Sequence, residues 1–150
     1  MEFPQFYRIR QRLECPVIED VEQAVLSALA TLPLKEKIRP GAQVAITAGS
    51  RGIANIPLIL RTVVRAVRAA GGEPFLVPAM GSHGGATAEG QLAILTSLGI
   101  TEESVGAPIL SSMEVVELGR TTEGVPVYFD KNARSADAIL VVNRVKPHTG

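Results

Sequence analysis

Only two histidines occur in the 150 residues, His83 and His148. Both lie in polar loops directly behind apolar runs. Pro74-Phe75-Leu76-Val77-Pro78 leads into Ala79-Met80-Gly81-Ser82-His83-Gly84-Gly85-Ala86, and Ile139-Leu140-Val141-Val142 leads into Asn143-Arg144-Val145-Lys146-Pro147-His148. Imidazole is the side chain suited to exchanging protons near neutral pH, so the pair are candidate acid–base groups. A third apolar run, Val44-Ala45-Ile46, leads into Ala48-Gly49-Ser50-Arg51-Gly52. There Gly49 and Gly52 let a backbone approach a ligand closely. Ser50 and the amides opening the next helix can hold an anion. Arg51 can grip a carboxylate or phosphate through two parallel hydrogen bonds. Taken singly, each feature has an ordinary structural reading: a tight turn, a loop histidine, a surface arginine. Arg144 and Lys146 read as solvated charges.

For the three loops to meet, the strands before them must be parallel, so that their C-terminal ends share one edge. In open α/β sheets that edge binds ligands. The periodicity supports this arrangement. Glu19 to Leu32 has a helical stripe of Val21, Val25, Ala28, Leu29 and Leu32, stopped by Pro33. Gln43 to Thr47 reads as a buried strand. A long amphipathic helix follows, with Ile56, Ile59, Leu60, Val63, Val64, Val67 and Ala70 inward and Gly71-Gly72 as its stop. Pro74 to Met80 is the next strand, which makes a β-α-β unit with a right-handed crossover. Thr87 to Leu98 reads as a helix with Leu92, Leu95 and Leu98 inward, weakened by Gly90. Thr101 is a cap for a short helix. Val115–Leu118 and Val125–Phe129 form a hairpin around Thr121–Gly124. A helical turn over Asp130–Ala136 and a buried strand over Ala138–Asn143 complete the chain. The pattern predicts a three-layer α/β/α Rossmann-like domain with a mainly parallel sheet and a small hairpin excursion.

Composition narrows the function classes. Lys+Arg and Asp+Glu are both 15, so the net charge is zero, which argues against nucleic acid or an acidic membrane as partner. A single cysteine, Cys15, allows no intrachain disulfide and fits a cytoplasmic protein. No Walker A, G-x-G-x-x-G or G-x-S-x-G motif is present. Two histidines without clustered acidic or cysteine partners give no metal site. The last residues fall just behind a strand, inside a functional-looking loop. Residues 1–150 are therefore expected to be the N-terminal catalytic α/β domain of a longer protein, with a C-terminal domain as partner within the same chain.

Three motifs in fixed order, Ala48-Gly49-Ser50-Arg51-Gly52, Ala79-Met80-Gly81-Ser82-His83-Gly84-Gly85 and Val141-Val142-Asn143-Arg144-Val145-Lys146-Pro147-His148, resemble the N-terminal domain of the nickel-dependent lactate racemase family. The resemblance runs from about residue 40 to the last residue. It implies a racemase or epimerase of a 2-hydroxy acid that works by hydride transfer to and from a nickel-pincer nucleotide. It implies that His83 and His148 are the two acid–base histidines and that Arg51, with Ser50, binds the substrate. Gly49, Gly81, Ser82 and Gly84 are assigned to the cofactor side. The covalent lysine and the nickel ligand are expected beyond residue 150, so the fragment alone is expected to be inactive. Lactate racemase has proline after the motif arginine, where Gly52 stands here, and Arg-Pro after the first histidine, where Gly84-Gly85 stand. These departures leave the substrate open between a lactate-like and a sugar acid. Two other classes fit the residues alone: a non-catalytic α/β module for a phosphate or carboxylate, and a nucleotide-dependent transferase.

Overall fold

The computed structural model describes residues 6–14 and 16–145. Its elements run α1 (Val21–Ala30), α2 (Leu34–Lys37), β1 (Gln43–Ala48), α3 (Ile56–Ala69), β2 (Glu73–Pro78), a turn at His83–Ala86, α4 (Ala88–Ser97), α5 (Glu102–Val105), β3 (Val115–Arg120), β4 (Pro126–Asp130), α6 (Lys131–Ser135) and β5 (Ala138–Leu140). The fold is α/β, with a parallel sheet of order β2-β1-β5 and a separate β3-β4 hairpin. β1 pairs in parallel with both neighbours, Val44 opposite Pro74 on one side and Ala138 on the other. The three strands therefore end on the same edge. The chain leaves β1 toward β2 and returns on β1's other flank, which is the strand-order reversal where α/β sheets hold ligands.

One face of the sheet carries the main core. α3 lays Ile56, Leu60, Val63, Val64 and Val67 against Val44, Ile46 and Leu76, and α4 and α5 add Leu95 and Val105. A fully buried leucine such as Leu60 contributes about 1.5–3 kcal/mol. The other face is thinner. Ala45, Phe75 and Val77 meet Ala133 of α6. The second helical layer is thus mainly one short helix. Beyond β2, the Leu76 N–H donates to the Pro108 carbonyl and the Leu110 N–H to that of Leu76, so the chain at 108–110 continues the sheet by a single parallel bridge.

Three expectations need adjusting. In α1 only Leu29 is buried, with Val21 and Val25 half-buried, while Ala28 and Leu32 are exposed. In α4 Leu95 is buried and Leu98, just past the helix, packs against the core as expected, but Leu92 is exposed and the inward place one turn before Leu95 is taken by Gln91. The last strand stops at Leu140 rather than Asn143. Its continuation is held by a side chain: the Val142 N–H donates to Thr47 Oγ1 (2.9 Å), and the Thr47 hydroxyl lies 3.2 Å from the Val142 carbonyl. At the other end Asp137 closes the ladder, exchanging bonds with both backbone groups of Gln43.

Candidate active site

The loop after β1 places Ser50 and Arg51 at the common edge, and the loop after β2 places His83 beside them. Ser50 Oγ lies 2.6 Å from His83 Nδ1. Nδ1 is thereby engaged, and Nε2 is the ring nitrogen left to face a ligand. His83 is exposed and Ser50 half-buried. Arg51 is exposed and forms no hydrogen bond or ion pair with the described residues.

The loop after β5 joins the same cluster. Arg144 Nη1 donates to the Gly52 carbonyl at 2.9 Å, and the Arg144 N–H donates to Asn143 Oδ1. Arg144 is therefore a tie between the first and third loops and not simply a solvated charge. Lys146 and His148 lie outside the described residues.

The glycines divide by what surrounds them. A β-carbon on Gly49 would sit 3.8 Å from both the Ala79 carbonyl and Asn143 Oδ1, an ordinary contact, and one on Gly52 would meet nothing. Gly81 has φ of +61° with open space where a β-carbon would go. Gly84 has φ of +69° and lies against the start of α4, so close that a β-carbon would come within 2.6 Å of the Gln91 nitrogen. Packing alone accounts for glycine at 84. Ser82 sits ahead of the turn, its carbonyl accepting from the Ala86 N–H.

Two residues that hold this loop carry little sequence signal. Gln91 is 5% exposed and its Nε2 donates to the Gly81 carbonyl at 2.9 Å. Its only sequence clue is a polar residue one turn before the inward Leu95. Gly90, which looks like a flaw in a helix, is the surface against which Gly84 rests. The turn itself is left-handed at Gly84, Gly85 and Ala86, with φ of +69°, +67° and +54°. For Ala86 that conformation costs about 1–2 kcal/mol, and such strain concentrates at functional sites.

Two hollows frame the alternatives. One of about 420 Å³ lies among α1, α2 and α3, lined by Leu26, Leu29, Leu32, Ala66 and Ala70. Its charged lining residues are Lys35 and Glu36, and no residue of the three strand-end loops reaches it. A smaller one of about 270 Å³ borders the second loop at Ala79, Met80, Gly81 and Gln91. Among the described residues no group of three His, Cys, Asp or Glu side chains could hold a metal, and no helix is long and apolar enough to cross a membrane.

Residues 6–150 match the family model described as the lactate racemase N-terminal domain. No curated protein and no solved structure matches the chain.

Proposed function

This chain belongs to the lactate racemase N-terminal domain family, and from that premise we propose that it forms the N-terminal catalytic part of a racemase or epimerase acting on a small 2-hydroxy acid. The observation that carries the reading is the convergence of His83, Ser50 and Arg51 at the C-terminal edge of a parallel sheet, with Ser50 on His83 Nδ1. Arg51 holds the substrate carboxylate through paired N–H donors. His83 Nε2 takes the hydroxyl proton as the Cα hydrogen leaves, and returns a proton when the hydrogen comes back. His148 serves the opposite enantiomer from the third loop.

The cofactor we assign is a nickel-pincer nucleotide, which supplies a hydride acceptor when bound. The open space at Gly81 fits its organic part, with Ser82 at the rim and Gly49, flanked by Ala79 and Asn143, on the neighbouring loop. Gly84 supports this ledge from behind. Among the described residues no group of three His, Cys, Asp or Glu side chains could hold the metal, and the family resemblance is what supports a covalent lysine and a nickel ligand elsewhere in the full protein. We place the protein in the cytoplasm, on its single cysteine.

The test is racemisation of a panel of Cα-deuterated 2-hydroxy acids by the complete nickel-loaded protein, read by chiral chromatography and mass. Wild type racemises one member and the product keeps its deuterium, because hydride transfer, unlike proton abstraction, does not exchange the Cα hydrogen with water. His83→Ala retains its thermal midpoint and loses racemisation by at least about 100-fold, the usual weight of a general acid–base group. Undiminished racemisation in that variant removes His83 from the chemistry. Tight carboxylate binding without racemisation makes the domain a binding module instead.

A further inference from the structure

The 2.6 Å contact between Ser50 Oγ and His83 Nδ1 is at the short end for a hydrogen bond between oxygen and nitrogen. Both ends are held. Ser50 follows the last residues of β1, the central strand, and Gly49 before it is flanked by Ala79 and Asn143. His83 opens a turn whose left-handed residues rest on α4 and whose preceding carbonyl, Gly81, is tied to Gln91.

A hydroxyl can donate or accept, so two arrangements share this geometry. If Ser50 donates to Nδ1, the neutral ring carries its proton on Nε2 and has no lone pair to offer a substrate. If Ser50 accepts the Nδ1–H, Nε2 is free as a base. The second arrangement also survives protonation, because a cationic ring carries N–H on both nitrogens. A group that alternates between base and acid needs a partner that need not turn round at every cycle.

We infer that Ser50 is a positioning residue for His83: its oxygen accepts the Nδ1–H and fixes the tautomer that leaves Nε2 as the proton-transfer atom. This rests on the acid–base reading of His83, but it makes a claim about the ring that turnover is not needed to read.

The test is long-range proton–nitrogen NMR of the histidine rings in the complete ¹⁵N-labelled protein without nickel, at a pH where the ring is neutral. The His83 signals are identified by their loss in His83→Gln. The expected result is a protonated Nδ1 and an unprotonated Nε2 in wild type, retained in Ser50→Thr and reversed toward Nε2–H in Ser50→Ala. A wild-type ring protonated at Nε2, or a ring indifferent to Ser50→Ala, overturns the assignment even if His83→Ala abolishes racemisation. On the nickel-loaded protein, Ser50→Ala lowers kcat by about 3- to 10-fold, the weight of one neutral hydrogen bond. KM stays near wild type, and Ser50→Thr restores the rate. A raised KM at unchanged kcat places Ser50 on the substrate and overturns the positioning role.

Discussion

Gly84 and Gly90 meet backbone to backbone where the histidine loop rests on α4. A β-carbon on Gly90 would come within 2.8 Å of both the Gly84 carbonyl carbon and Thr87 Oγ1. Thr87 Oγ1 in turn accepts the Gly90 N–H at 3.0 Å. The helix cap, the loop and the helix therefore share one crowded point. Glycine at both positions lets the loop carrying His83 sit flat on the helix.

That crowding reverses an ordinary rule. Glycine to alanine inside a helix normally stabilises by about 0.8–1 kcal/mol. Gly90→Ala is expected to destabilise instead, by about 1–3 kcal/mol, the usual cost of overpacking. Urea unfolding of the variant measures it. Gly85→Ala is the control, because its β-carbon meets nothing and only its φ of +67° is unfavourable. A Gly90→Ala midpoint above wild type would mean that the loop can lift off α4 at no cost.

These two glycines also show what the sequence could and could not convey. Alternation of strands and helices, the stop at Gly71-Gly72 and the three strand-end loops are local patterns, and the main strands and helices lie where periodicity puts them, apart from the early end of β5 and the unforeseen short α2. Gly90 and Gln91 are read wrongly or passed over by local pattern because their roles are contacts to residues earlier in the chain. The same holds for Thr47, whose side chain replaces the backbone ladder beyond Leu140. Loop adjacency was legible through parallel pairing. The bond from Ser50 to Nδ1 was not, since it depends on how two turns lean toward each other.

Gln91→Leu tests whether the loop is held by its hydrogen bond or merely by bulk. The buried amide donates to Gly81, and leucine keeps much of the volume without the donor. Overall stability is expected to fall by about 0.5–1.5 kcal/mol. Amide hydrogen exchange over residues 81–86 should accelerate more than elsewhere in the sheet. Unchanged protection there would reduce Gln91 to a space-filling residue.

Arg144→Met removes the tie to the Gly52 carbonyl while keeping an unbranched stem. Arg144 is exposed, so the thermal midpoint should hardly move, in line with surface changes of within about 0.5 kcal/mol. Faster exchange of the amides at 143–145, with lower turnover in the complete protein, is the expected signature. If the third loop keeps its protection, another contact fixes it.

In the hairpin turn, hydrogen bonding from the side chains of Thr122 and Thr121 and from its own backbone holds the Glu123 carboxyl below its usual range. A lowered folded-state value means that the bonds favour the folded form above the unfolded-state pKa. That contribution disappears as pH falls through the folded value. Thr122→Val should raise the Glu123 midpoint, read by carboxyl NMR titration, and leave the site loops untouched. A midpoint that stays put would leave the bonds from Thr121 and the backbone as sufficient cause.

Arg51 offers the sharpest separation of fold from function. Its guanidinium is exposed and has no hydrogen bond or ion pair among the described residues, so no folded-state contact is lost on substitution. Arg51→Lys should leave the thermal midpoint where it is. Lysine keeps the charge but presents a point donor where a planar fork is needed for bidentate recognition of a carboxylate. The loss of one charge-assisted hydrogen bond, about 1.5–3 kcal/mol, corresponds to a KM raised by roughly 10- to 150-fold. Arg51→Gln, with neither charge nor fork, should be weaker still. If both variants bind the hydroxy acid as wild type does, the carboxylate is held elsewhere, and the first loop serves only to bring Ser50 to His83.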